Sequence, residues 1–238
     1  MGIEIIMKRF SFPFFSILFY LGILVGFLLT GMATWADMEA TSYGFPITGG
    51  ERLNTLSCPM LMTKNEVGVF SVKVVNTTDK KIASSIRTDI ATQVDPVTSY
   101  TFAQLAPGET KQVEEQIGPD NLIFGQFIFA RASVNAYPLP SSENVCGVFI
   151  VDLPTNGRTI TWTMVGLSLL GVSVGLYGIS RSQDSINAKP MDVRLLILLA
   201  FLVFAGIISS FLGWWIQGLV VIIVLVLALL MSFYSARK

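Results

Sequence analysis

The residues that could do chemistry are few, and sulfur comes first. Cys58, Met60 and Met62 fall at every second position, so an extended strand would bring one thiolate and two thioethers to a single face. Soft donors of that kind suit copper. The chain has no histidine, however, which excludes a blue-copper site and removes the commonest general base. Met60 and Met62 therefore read as core residues. The carboxylate pairs lead no further: Glu114 and Glu115 would point to opposite faces of a strand, and Asp89 with Asp95 reads as a solvated face. Phosphate-binding glycine loops, nucleophile elbows and metal-ligand spacings are absent from the sequence. The expectation is a protein that is not an enzyme and uses no cofactor and no metal.

The elements around these residues are mostly apolar. Of the 238 residues 52% are hydrophobic and 13% charged, with a mean hydropathy of +0.64, which places the chain in the membrane class. Sixteen basic residues balance sixteen acidic ones, so nothing in the net charge attracts nucleic acid. The pattern predicts four transmembrane helices at residues 10–35, 159–180, 195–212 and 216–234. The first reads as an uncleaved signal anchor, since its uncharged core of about 21 residues exceeds the usual ~7 to 15 of a cleaved signal. Residues 1–9, 181–194 and 235–238 carry Lys8, Arg9, Arg181, Lys189, Arg194, Arg237 and Lys238, which the positive-inside rule assigns to the cytoplasm. Trp35, Trp162, Trp214 and Trp215 then fall at the opposite interface as anchors in membrane lipid. No ionisable residue stands deep in any span, which weakens a transporter reading. Gly22 and Gly26 in the first span, and Gly171, Gly175 and Gly178 in the second, repeat at helical spacing and suit helix packing, either between these two spans or with a partner helix.

Between the first and second spans lies the long polar segment 37–158. From Ile82 to Val94 the even positions are drier than the odd ones, the mark of a strand. Similar runs at 56–62, 67–75, 99–105, 110–117, 124–135 and 145–153 make seven short strands, which fit an all-β sandwich. The runs VFSVKVVNTTDK from Val69 to Lys80, LAPGET from Leu105 to Thr110, and CGVFIVDLP from Cys146 to Pro154 resemble the immunoglobulin-like, CARDB-like domains of prokaryotic surface proteins. That resemblance covers less than half the chain and implies a binding or spacing module without catalysis.

Cys58 and Cys146 fall in the segment expected outside, where disulfides persist, and are expected to pair. In an immunoglobulin-like order the first and last strands can be neighbours. Asn76, Thr77 and Thr78 form a glycosylation sequon. The reading that follows is an integral protein of a prokaryotic plasma membrane, its sandwich facing the periplasm or cell exterior and contacting protein partners in a larger assembly. An oligomeric pore or transporter element is the alternative. A membrane enzyme ranks last.

Overall fold

The computed structural model describes residues 2–45, 49–183 and 193–236. Lys189, Arg237 and Lys238, and most of the expected 181–194 loop, lie outside the described residues. The chain divides into two units, Met1–Thr34 with Thr161–Lys238, and Trp35–Ile160.

The first unit is helical. The helices are α1 (Gly2–Ser42), α2 (Gly157–Gln183), α3 (Val193–Phe211) and α4 (Trp215–Ala236), and the last three follow the apolar runs closely. Three of them, α1 to α3, are long and apolar enough to cross a membrane, and α4 is apolar over Trp215–Met231. Asn156 starts α2 by accepting the Thr159 amide on its Oδ1 at 2.7 Å, satisfying one of the free donors of the first turn. Gly213, at φ 60°, makes the reversal between α3 and α4.

Within this unit the glycines mark where helices touch. A Cβ on Gly22 would stand 2.6 Å from the Val172 amide nitrogen, and one on Gly171 would stand 2.9 Å from the Gly22 Cα. Backbone meets backbone there. Gly175 lies against Phe19 and Gly178 against the Phe15 ring, while Gly26 faces Ser168 of α2 and Val203 of α3. Gly206 of α3 fits Thr30, and Gly218 of α4 fits Thr34, so α1 meets all three other helices through small residues.

Helix α1 runs past the expected boundary at residue 35. Its 41 residues rise about 60 Å at 1.5 Å each, roughly twice a hydrocarbon core, and its last turns belong to the second unit. Nothing in Asp37–Ser42 breaks a helix; Gly44, at φ 91°, follows its end. The segment expected as sandwich from Asp37 onward therefore begins as helix.

The second unit is built on two sheets. Strands β1 (Glu51–Arg52), β3 (Leu61–Thr63), β5 (Ile82–Ile90), β6 (Val97–Leu105), β8 (Phe127–Tyr137) and β9 (Ser142–Val151) form a mixed sheet ordered β1-β9-β8-β5-β6, with β3 also on β9. Strands β2 (Leu56–Ser57), β4 (Gly68–Val75) and β7 (Thr110–Ile117) form the other, ordered β2-β4-β7. Both β1 and β3 run parallel to β9; the remaining pairs are antiparallel. Val72, Val74 and Val113 of the small sheet pack on Ile82, Ile86, Ala132 and Val134 of the large one, so the core lies between the sheets.

The strand expected at 56–62 is broken in two. Pro59 has no N–H to give a ladder, and around it the chain leaves the small sheet at Ser57 and rejoins the large one at Leu61. The strand expected from Phe124 starts at Phe127 instead, because Phe124 (φ 51°) and Gly125 (φ 73°) turn the chain back on itself. The strand expected to reach Val94 stops at Ile90.

Candidate functional site

The face of the large sheet that points away from the core has three zones. Alternation along β8 puts Ile128, Ala130 and Val134 inward and Phe127, Phe129 and Arg131 outward, yet all are buried. Something therefore covers the outer side. Over Phe127 and Phe129 it is the end of α1 and the segment after it, through Ala36, Ala40 and Phe45. The Trp35 ring meets Phe127 edge-on at 5.5 Å, and its Nε1 donates to Glu39. At Gly147 the contact is so close that a Cβ would strike the Ala36 carbonyl.

Asp37 stands beyond the stretch read as membrane-spanning and accepts the Gly147 amide at 2.9 Å on Oδ1. That amide needs a partner. On β9 the Phe149 amide donates to the Met60 carbonyl, and the Glu143 carbonyl accepts from Leu53, but the chain between those two points has crossed to the small sheet. Asp37 fills the gap in the ladder. Burial pushes its carboxyl up from 3.8 to about 6, against the opposing pull of the Gly147 hydrogen bond and of Arg52.

The middle zone holds a buried ionic cluster. Arg131 is 0% exposed; its Nη1 donates to Asp89 Oδ2 at 3.2 Å, and its Nη2 pairs with Glu143. Asp89 also accepts from Arg87 and from the Thr98 hydroxyl at 2.6 Å. The solvated face expected at Asp89 is thus overturned: the residue is 1% exposed and paired. The sequence signal was Arg131 itself, a cation inside the apolar run from Phe127 to Ala136, which can stay charged only beside carboxylates.

The third zone is open. Tyr100 is 58% exposed, Phe102 77% and Tyr137 89%, and Phe102, Gln104, Asn135 and Tyr137 border a shallow hollow of about 440 Å³. The Arg87 guanidinium lies 5.8 Å from the centre of the Tyr100 ring. These groups can stack and hydrogen-bond, which suits recognition.

No family model and no curated protein matches this chain. Solved structures with some likeness include the β-glucosidase EmGH1 of Erythrobacter marinus, 18% identical over 39% of this chain and 14% of that one at a TM-score of 0.29. A β-glucosidase of Listeria innocua is 15% identical over 44% and 17% at 0.31, and a cycloisomaltooligosaccharide glucanotransferase of Paenibacillus is 16% identical over 44% and 14% at 0.31. The chain spans less than a fifth of their length. Likeness that slight carries neither fold nor activity.

The residues singled out in the sequence are placed as follows. Cys58 and Cys146 form a disulfide, with Cα atoms 6.5 Å apart. Cys58 then has no thiolate to offer copper; Met62 is buried in the core beneath Gly68, where the missing side chain leaves room for its sulfur. Among the described residues no three of Cys, Asp and Glu are grouped to hold a metal ion. Asn76 of the sequon is 1% exposed, and its Nδ2 donates to the Lys80 and Leu105 carbonyls, so the folded chain offers no nitrogen for a glycan. Glu115 accepts from Thr88, and Glu114 from Gln112. Trp162 packs 5.6 Å from Phe211 in the helical unit, and Trp214 is 41% exposed at the α3–α4 reversal that Trp215 completes.

Proposed function

We propose that this chain is a non-catalytic integral membrane subunit. It carries four transmembrane helices, and an outer immunoglobulin-like sandwich makes protein–protein contact within a larger assembly. The observation that carries this reading is the open zone of the large sheet: Tyr100, Phe102 and Tyr137 are exposed together, while elsewhere on that face comparable rings are buried. Aromatic side chains left in water on one side of a sheet are the residues that interfaces favour. Support for the membrane reading comes from three helices of spanning length, from basic flanks on alternate connections, and from tryptophans at the opposite ends. On that arrangement the termini are cytoplasmic and the sandwich faces the periplasm or the cell exterior.

Two measurements test the proposal. A single cysteine at Val94, which is 88% exposed, should react with a membrane-impermeant maleimide in intact cells, and one at Ser185 should not. Replacing Tyr100, Phe102 and Tyr137 together by serine should release the chain from its partners in mild detergent while leaving insertion intact. Unchanged association would refute the contact role.

A further inference from the structure

The two sheets expose four edges, and three are protected. In the large sheet one edge is formed by β1 and β3, two and three residues long, and β1 consists of Glu51 and Arg52. In the small sheet β2 has two residues, and β7 carries Lys111, Glu114 and Glu115. Short or charged edges resist pairing with another chain. Strand β6 has neither protection: it runs nine residues, VTSYTFAQL, with no charge and no proline. Its backbone pairs with β5 on one side. On the other side, among the described residues, only the Leu105 carbonyl is engaged, by Asn76.

The sequence of this edge is close to self-complementary. Counting outward from Thr101, Tyr100 matches Phe102, Ser99 matches Ala103, Thr98 matches Gln104 and Val97 matches Leu105: aromatic with aromatic, small with small, polar with polar, aliphatic with aliphatic. In an antiparallel pair of two copies centred on Thr101, each of these residues would stand opposite its match on the same face. We infer that β6 is a homodimerisation edge, joining the large sheets of two copies across a two-fold axis at Thr101. This rests on the contact reading above and names the partner as a second copy of the chain. No like charges meet in such a pair, and a neutral strand offers nothing to steer a charged foreign peptide. The exposed Tyr100 ring would pack on the partner's Phe102, giving the open aromatic zone an occupant, and an interface of this kind closes on itself at two copies.

The test uses the full chain in mild detergent, where micelles leave both copies free to turn, so that pairing within one membrane or between two facing ones is read alike. Light scattering should give a protein mass of about twice 26.0 kDa for the native chain. Thr101→Lys, which places two cations on the axis, should bring it back to a single copy. Thr101→Cys should cross-link to itself with a short bis-maleimide. Ser99→Cys alone should not, but it should cross-link when mixed with Ala103→Cys. A native chain of single-copy mass together with no cross-link for Thr101→Cys overturns the inference. If in that case the serine triple variant still sheds a different protein, the contact role stands and only the identity of the partner falls. If the triple variant sheds nothing, both fall.

Discussion

The Gly147 amide donates to Asp37 Oδ1 across 2.9 Å, joining residues 110 positions apart and closing a gap that no strand among the described residues fills. The bond carries a cost, because the acceptor is a carboxylate held out of water. With its carboxyl raised from 3.8 to about 6, Asp37 binds its proton more tightly folded than unfolded. That contribution to stability is fully present below pH 3.8 and is lost as pH rises through about 6. Asp37→Asn keeps an oxygen for Gly147 and removes the charge. It should raise stability above pH 6.5 by about 1–3 kcal/mol and flatten the slope between pH 4 and 6. Thermal unfolding of both proteins across that range checks it; an unchanged slope would show that Asp37 is not the titrating group.

Arg131 faces two carboxylates with almost no water. Arg131→Met should cost about 3–5 kcal/mol, since Asp89 and Glu143 would both lose a buried cationic partner, Asp89 keeping only Arg87. Adding Asp89→Asn should recover part of that loss. Urea unfolding followed by tryptophan fluorescence measures both, and additive losses would mean that the two side chains are not coupled.

The Cys58–Cys146 bridge closes 88 residues. In the chain-entropy model its removal by a double serine substitution should cost about 4 kcal/mol. Reductant should bring the native protein down to the same midpoint while leaving the variant where it is. A thiol count on the denatured, unreduced chain should be zero.

Gly22 and Gly31 lie on the same helix but in different surroundings. Gly22→Val would force a branched side chain into the α2 backbone and should destabilise the helical unit by about 1–3 kcal/mol. A Cβ at Gly31 meets nothing within 4 Å, so Gly31→Val should cost much less. Circular dichroism melts in detergent separate the two; equal losses would put the effect down to valine in a helix rather than to packing.

Much of the scaffold could be read from residue order because it rests on local periodicity. Uncharged runs gave α2, α3 and α4 within a few residues, and alternation gave β4, β5, β6 and β7. What local pattern cannot carry is which strand lies beside which. The split of 56–62 around Pro59 reflects a change of sheet, and the parallel pairing of β1 and β3 with β9 joins residues about 90 apart. The tail of α1 does not show in the pattern because Asp37 and Glu39 look like the start of a polar loop. In the fold Asp37 answers a distant amide, and Ala36 and Ala40 cover a sheet. Arg131 stands out in the sequence as a cation in an apolar run, but its partners Asp89 and Glu143 do not, since they come from the strands on either side.

Among the described residues strand β9 is the last to be made, and it is also the only strand on which β1 and β3 pair. A chain emerging from its N-terminus can form the β5–β6 hairpin, and the β4–β7 pair, as soon as those residues are free. Strands β1 and β3 must wait, although β2 between them can already pair with β4. Until β9 has emerged β1 and β3 have no strand to join and Cys58 has no Cys146 to meet, so the thiol stays open to other partners. The order of synthesis thus leaves the N-terminal edge of the domain as its last part to close. A chain truncated before β9 should accumulate mixed disulfides through Cys58.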